Sequence, residues 1–330
     1  MSKIPTEELR KKIKVNRPEI SDSSVHSYII SLRMILNQCE PEHDKTKQLN
    51  TKFLHDFKKI TECINKIENK NTKKNRLTAV LVGLSSEVPK DDKLIEKYQS
   101  ILKDLMIKVN KQLNSQEKSE TQKKNWISFD DVKSILNKML TDISPLFKKE
   151  KLSKSEYNAI QKYVLLRFYV SHPVRNNVAN TSVLSQADYD KLEDKIKDEN
   201  NYLIKDGNKY KFMLNKFKNV KRLGKKIIEI EPNLSKILSK WFKINKSGWF
   251  FTLSNGLEPI TPNHITKMLN SIFIKYADGK KISSSMLRQI QITDDLKDQP
   301  TIEEKKEENK KIEDKYQHNS NINDLYRKID

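Results

Sequence analysis

Glycine and cysteine are scarce in this chain, with six and two among 330 residues. No Gly-rich loop is present to cradle a nucleotide phosphate. Cys39 and Cys63 form no CxxC pair, which excludes the usual zinc and dithiol redox motifs. HExxH, GxSxG and paired-carboxylate patterns are missing as well, so no metal or other cofactor is expected. No run of about 18 apolar residues offers a membrane span, and the N-terminus lacks a signal-peptide core. So few cysteines in a long chain suit a reducing compartment, cytoplasmic or nuclear. No internal repeat is visible.

Positive charge is abundant. Lys and Arg number 64 against 44 Asp and Glu, a net charge of +20. A surplus of that size points to a polyanionic partner, most simply nucleic acid. An AT-rich coding bias would also enrich lysine, so the position of the charge matters more than its sum.

The length suits two domains. Residues 1–113 read as helical: Val25, Tyr28, Ile29, Leu32 and Leu36 keep a helical spacing behind candidate caps at Ser21 to Ser24. Further helices are predicted near 50–67 and 92–113, with a turn over 85–92. Residues 114–125 carry no apolar side chain and read as a linker. The second domain, 126–330, opens on a capping box, Ser128 with Asp131. Val132, Ile135, Leu136, Met139 and Leu140 then mark one helix face. A second helix is predicted over 153–169. The period then changes. Tyr202 and Ile204 precede Asp206-Gly207, and Tyr210, Phe212 and Leu214 follow, which predicts a hairpin. A third strand is expected over 226–230. Thr261-Pro262 starts another helix, with an apolar face from Ile265 to Phe273. The fold class is therefore mainly α with a small antiparallel β-sheet, an α+β chain. Residues 294–315 form a charged run with nine acids, expected to be solvated.

The densest basic patch is KYKFMLNKFKNVKRLGKK, 209–226, with eight Lys or Arg and no acid. A cationic hairpin can neutralise several backbone phosphates, which makes Lys209, Lys211, Lys216, Lys221, Arg222, Lys225 and Lys226 candidate DNA contacts. Tyr210, Phe212 and Phe217 interleave with them. Arg175 stands in SHPVRNNVAN, just after a predicted helix, where a guanidinium can pair with a phosphate. Arg288 emerges from an apolar segment and needs an anion or a carboxylate to meet it. His318 and Tyr326 stand in KYQHNSNINDLYRK. Each residue alone also suits an ordinary structural role.

The order of these pieces resembles the tyrosine recombinase (phage-integrase) family over nearly the whole chain. RPEISDSSVHSYIISLRMIL resembles the start of that family's helical core-binding domain. NWISFDDV and RLGKKIIEIEP look like its catalytic domain, as found in large DNA viruses and mobile elements. The resemblance implies DNA cutting and rejoining through a 3′-phosphotyrosine, without metal. It assigns Arg175 and Arg288 to the non-bridging phosphate oxygens, where charge builds in the transition state. It gives Lys218, with Lys221 as the alternative, the proton for the departing oxygen. It places His318 beside the phosphate and makes Tyr326 the nucleophile. Self-assembly on DNA is expected with it. Departures are plain: Ser285 stands where the family's motif has histidine and cannot serve as a base near neutral pH, Gln289 follows Arg288, and the gap from Arg288 to His318 is long. A type IB topoisomerase-like enzyme and a DNA-binding protein with a decayed active site remain as alternatives.

Overall fold

The computed structural model describes residues 5–44, 46–114, 117–297 and 315. The chain divides into two compact units, Met1–Ser115 and Gln116–Asp330.

The first unit is helical: α1 (Glu7–Asn16), α2 (Asp22–Cys39), α3 (Phe57–Asn65), α4 (Lys70–Ser85) and α5 (Asp92–Asn114). Ser21 caps α2, its hydroxyl accepting from the Ser24 amide at 3.2 Å. The helix expected over 50–67 is broken into a 3-10 turn, Lys52–His55, and α3. Asp56 makes the break, because its carboxylate accepts from the Lys59 amide and restarts the helix. Helix α4 was not expected. Its first half is polar and its second apolar, KNTKKNRLTAVLVGLS, so no stripe repeats along it. Yet it is the element on which α1, α2, α3 and α5 all pack, with Leu77, Val80 and Leu84 out of solvent contact. A Cβ at Gly83 would lie 3.1 Å from Leu54 and 3.2 Å from Thr51. Glycine there lets the 3-10 turn close against α4.

The second unit opens with α6 (Glu120–Asn125), α7 (Phe129–Ile143) and α8 (Lys154–Ser171). Helix α6 falls inside the stretch read as a linker. Ser119 and Gln122 form a capping box that starts it without any apolar residue, and the Gln122 amide donates to Gln289 at 3.0 Å. The expected box at Ser128 and Asp131 is present. On α7 the buried face runs from Val132 to Ile143, whereas Leu140 is exposed. Helix α8 is boxed by Ser153 and Glu156 and runs through the core, where Phe168 meets Phe212 and Phe250 edge-on.

The sheet follows: β1 (Ser182–Ser185), the short helices α9 (Gln186–Asp190) and α10 (Asp194–Glu199), β2 (Tyr202–Asp206), β3 (Lys209–Leu214), α11 (Val220–Leu223) and β4 (Lys226–Glu229). Strand order is β1-β2-β3-β4. The expected hairpin is β2–β3, with Asp206 opposite Lys209 and Gly207 at φ +58°, a value glycine adopts without strain. Strand β4 pairs antiparallel to β3. The sheet is nevertheless mixed, not antiparallel, because β1 pairs parallel to β2. SVLS has too little alternation to announce a strand. Helices α12 (Pro232–Ile244), α13 (Pro262–Tyr276) and α14 (Ser284–Asp295) follow. Pro262 starts α13 as expected, but the Thr261 hydroxyl bonds His264 Nδ1 at 2.8 Å and caps no amide. The chain is thus mainly α with a small sheet. Among the described residues no helix is long and apolar enough to cross a membrane.

Candidate DNA-contact site

Helix α8 ends at Ser171 because Pro173 cannot continue it, and the chain enters the loop carrying Arg175. Two hydrogen bonds fix the Arg175 carbonyl, from Tyr169 Oη at 3.1 Å and from the Asn177 amide at 2.6 Å. The Asn176 side chain donates to the Pro262 carbonyl at 2.8 Å, tying the loop to the start of α13. The backbone is therefore held from three sides, while the Arg175 side chain is half-buried.

Tyr169 also connects this loop to Arg288. Its carbonyl accepts from the Gln291 side chain at 3.1 Å, one turn beyond Arg288 on α14. Burial pushes the Tyr169 hydroxyl far up from its ordinary pKa, and the nearby Arg288 charge opposes that shift. Arg175 and Arg288 are 113 positions apart in the chain, and one tyrosine bridges their surroundings. Arg288 is 1% exposed, so a phosphate reaches it only after neighbouring groups move. Ser285 is exposed on the first turn of α14. Gln289 accepts from Gln122.

The same loop is bonded to the lysine-bearing connection after β3. The Asn201 amide group donates to the carbonyls of both Asn177, at 3.1 Å, and Lys216, at 3.0 Å. The Lys216 amide returns a bond to Asn201 Oδ1 at 2.8 Å. Lys216 and Lys218 are exposed there, as are Lys221 and Arg222 on α11. Lys218 therefore sits in a turn ahead of α11 and not on a strand.

Two features of the basic patch differ from expectation. Tyr210, Phe212 and Phe217 are buried, so the interleaved aromatics build the core. The stretch contains no acid, but the fold brings acids to it, Glu229 and Asp198 among them. Lys211 lies 3.7 Å from Glu229 on β4, and Lys225 is ion-paired with Asp198 of α10. Lys209 is exposed beside the hairpin turn and Lys226 is half-buried.

A cleft of about 450 Å³ adjoins the loop, lined by Ser171, His172, Leu223, Lys225, Lys226 and Lys315 among others. Arg167 forms an ion pair with Glu231 at 2.5 Å, and the Ser171 hydroxyl donates to the same carboxylate oxygen at 2.7 Å. His172 Nε2 is buried without a hydrogen-bond partner. Burial lowers the His172 pKa to about 4 despite the neighbouring Glu231 carboxylate, and Arg167 and Lys315 push it the same way. The ring is neutral at pH 7.

Sequence reasoning missed Tyr169, Asn177, Asn201 and His172. The Asn pair beside Arg175 was the visible signal, since asparagine bonds backbone groups in irregular segments. Tyr316, His318 and Tyr326 lie outside the described residues. Among the described residues no group of His, Cys, Asp and Glu is placed to hold a metal ion.

No protein-family model and no curated protein matches this chain. Among solved structures it is similar to XerA recombinase, at 11% identity and a TM-score of 0.39, over 98% of this chain and 94% of that one. A likeness at that level decides nothing about function.

Proposed function

We propose that this protein cuts and rejoins double-stranded DNA through a covalent 3′-phosphotyrosine, in the manner of a tyrosine recombinase. The observation that carries the reading is the convergence on one loop. Hydrogen bonds join the Arg175 loop to the helix of Arg288 through Tyr169, and to the Lys216–Lys218 segment through Asn177 and Asn201. Phosphoryl transfer needs fixed cations around a phosphate more than it needs covalent helpers. Two guanidinium groups offer paired donors to non-bridging oxygens. Lys218, exposed on the turn, delivers a proton to the departing 5′-oxygen. Tyr326 is assigned the nucleophile's role and His318 that of orienting the phosphate. The bond energy stays in the phosphotyrosine, so rejoining needs no ATP.

The decisive experiment incubates the protein with a suicide DNA substrate and resolves it on a denaturing gel. A covalent adduct is expected, lost in Tyr326→Phe and kept in Tyr316→Phe. An adduct that persists in Tyr326→Phe refutes the assignment of the nucleophile. Two observations favour a second reading, a DNA-binding protein that no longer cleaves: Arg288 is out of solvent contact and Gln289 is engaged by Gln122. That reading predicts DNA binding with no adduct in any variant.

A further inference from the structure

One cleft in the second unit, of about 900 Å³, is not at the arginine loop. It lies between α7, α8 and α13, along the N-terminal half of α8. Lys162, its deepest cation, stands nine residues before the end of α8 at Ser171, about 13 Å along the helix axis.

One face of α8 aims a row of donors into this cleft. Lys154, Asn158 and Lys162 recur every fourth residue, with Ser155 beside them, which places them on one stripe. Lys162 is half-buried. Burial and the nearby Lys275 pull its ammonium pKa below the usual lysine value, and no acid acts against them. Holding a lysine partly out of water without a counter-charge is costly.

On the opposite wall, Tyr276 donates to Asp142 at 2.6 Å and Lys275 donates to Tyr276 at 3.0 Å. Asp142 is thus already engaged across the cleft from Lys162. Lys154, Lys162 and Lys275 line the cleft with one carboxylate, Asp142, a formal surplus of two positive charges. The floor is apolar, built by Met139, Ile143, Leu146 and Ile272.

We propose that this cleft binds a small phosphate monoester, with its head between Lys162 and Lys275, Lys154 adding its charge from the rim, and its organic group on the apolar floor. A phosphate monoester is dianionic near neutral pH and matches the surplus, whereas a carboxylate would leave one cation uncompensated. The volume suits a small-molecule pocket with few polar anchors.

The test is calorimetric titration of the full chain with phenyl phosphate, inorganic phosphate and benzoate. Phenyl phosphate binds about tenfold or more tightly than either control, one lacking the apolar group and the other the second charge. Lys162→Met keeps the apolar stem and removes the ammonium, and weakens binding about tenfold or more. Lys154→Met, on the exposed rim, weakens it less, and Arg175→Ala leaves it unchanged. The proposal is overturned by no saturable binding, equal affinity for the three probes, affinity unchanged in both lysine variants, or binding lost in Arg175→Ala. Displacement of phenyl phosphate by a short DNA duplex also overturns it, because the cleft then belongs to the DNA-contact surface.

Discussion

At the scale of single residues, the two arginines call for different experiments. Arg288 is buried to 1%, so Arg288→Ala removes a large side chain from a packed interior. It lowers stability by about 2–5 kcal/mol, as other large-to-small core changes do, and confounds any loss of cleavage. Arg175 is half-buried, and its place in the loop is fixed through its backbone carbonyl. Arg175→Ala therefore keeps the loop and loses the donor. Cleavage of a suicide substrate falls by about a hundredfold or more, while the melting temperature stays close to that of the parent. Parental cleavage rates in Arg175→Ala make the residue structural.

His172 gives a second prediction at this scale. Its folded pKa, about 4, lies below the unfolded value near 6.5. Between those values the unfolded chain binds a proton that the folded chain refuses. Stability is then complete above about pH 6.5 and declines as pH falls towards 4, by about 2 kcal/mol between pH 7 and pH 5. Urea unfolding followed at both pH values checks this. The parent loses more stability than His172→Gln over that interval; equal losses show that the histidine does not titrate this way.

At the scale of elements, the sequence was most legible where a cap and a periodic face coincide. Ser128 with Asp131 announced α7, and the box was there. The β2–β3 hairpin was announced by alternation around Asp206-Gly207. Helix α4 was illegible because its burial comes from all sides, so its apolar half shows no stripe. Strand β1 was illegible because a parallel pairing depends on β2, a partner distant in sequence. The basic patch was visible, but its partial neutralisation was not, since Glu229 and Asp198 reach it only through the fold. Capping also supplies a prediction. Ser153 starts α8, the helix that delivers Arg175, through reciprocal bonds with Glu156. Ser153→Ala lowers stability by about 1 kcal/mol. The change is read as a shift in the urea midpoint at constant m-value. No shift shows that the box is dispensable.

At the scale of the whole molecule, the net charge of +20 and the proposed function together predict DNA binding that depends on salt. Lys209, Lys216, Lys218, Lys221 and Arg222 are exposed. If all five replace counterions on the phosphate backbone, log K falls with log salt at a slope of about −4.5, a loss of about 500-fold between 50 and 200 mM salt. The Lys225 ammonium is paired with Asp198, and its sequence neighbours gave no hint of that. Replacing Lys216, Lys218 and Lys221 together by glutamine flattens the slope by about 2.7. Lys225→Gln changes it by well under one, since a cation that keeps its own carboxylate displaces few counterions. Fluorescence anisotropy on a labelled duplex across a salt series measures both slopes. A full unit change in Lys225→Gln means that the Asp198 pair opens on DNA, and a triple variant with the parental slope moves the DNA-contact surface away from this connection altogether.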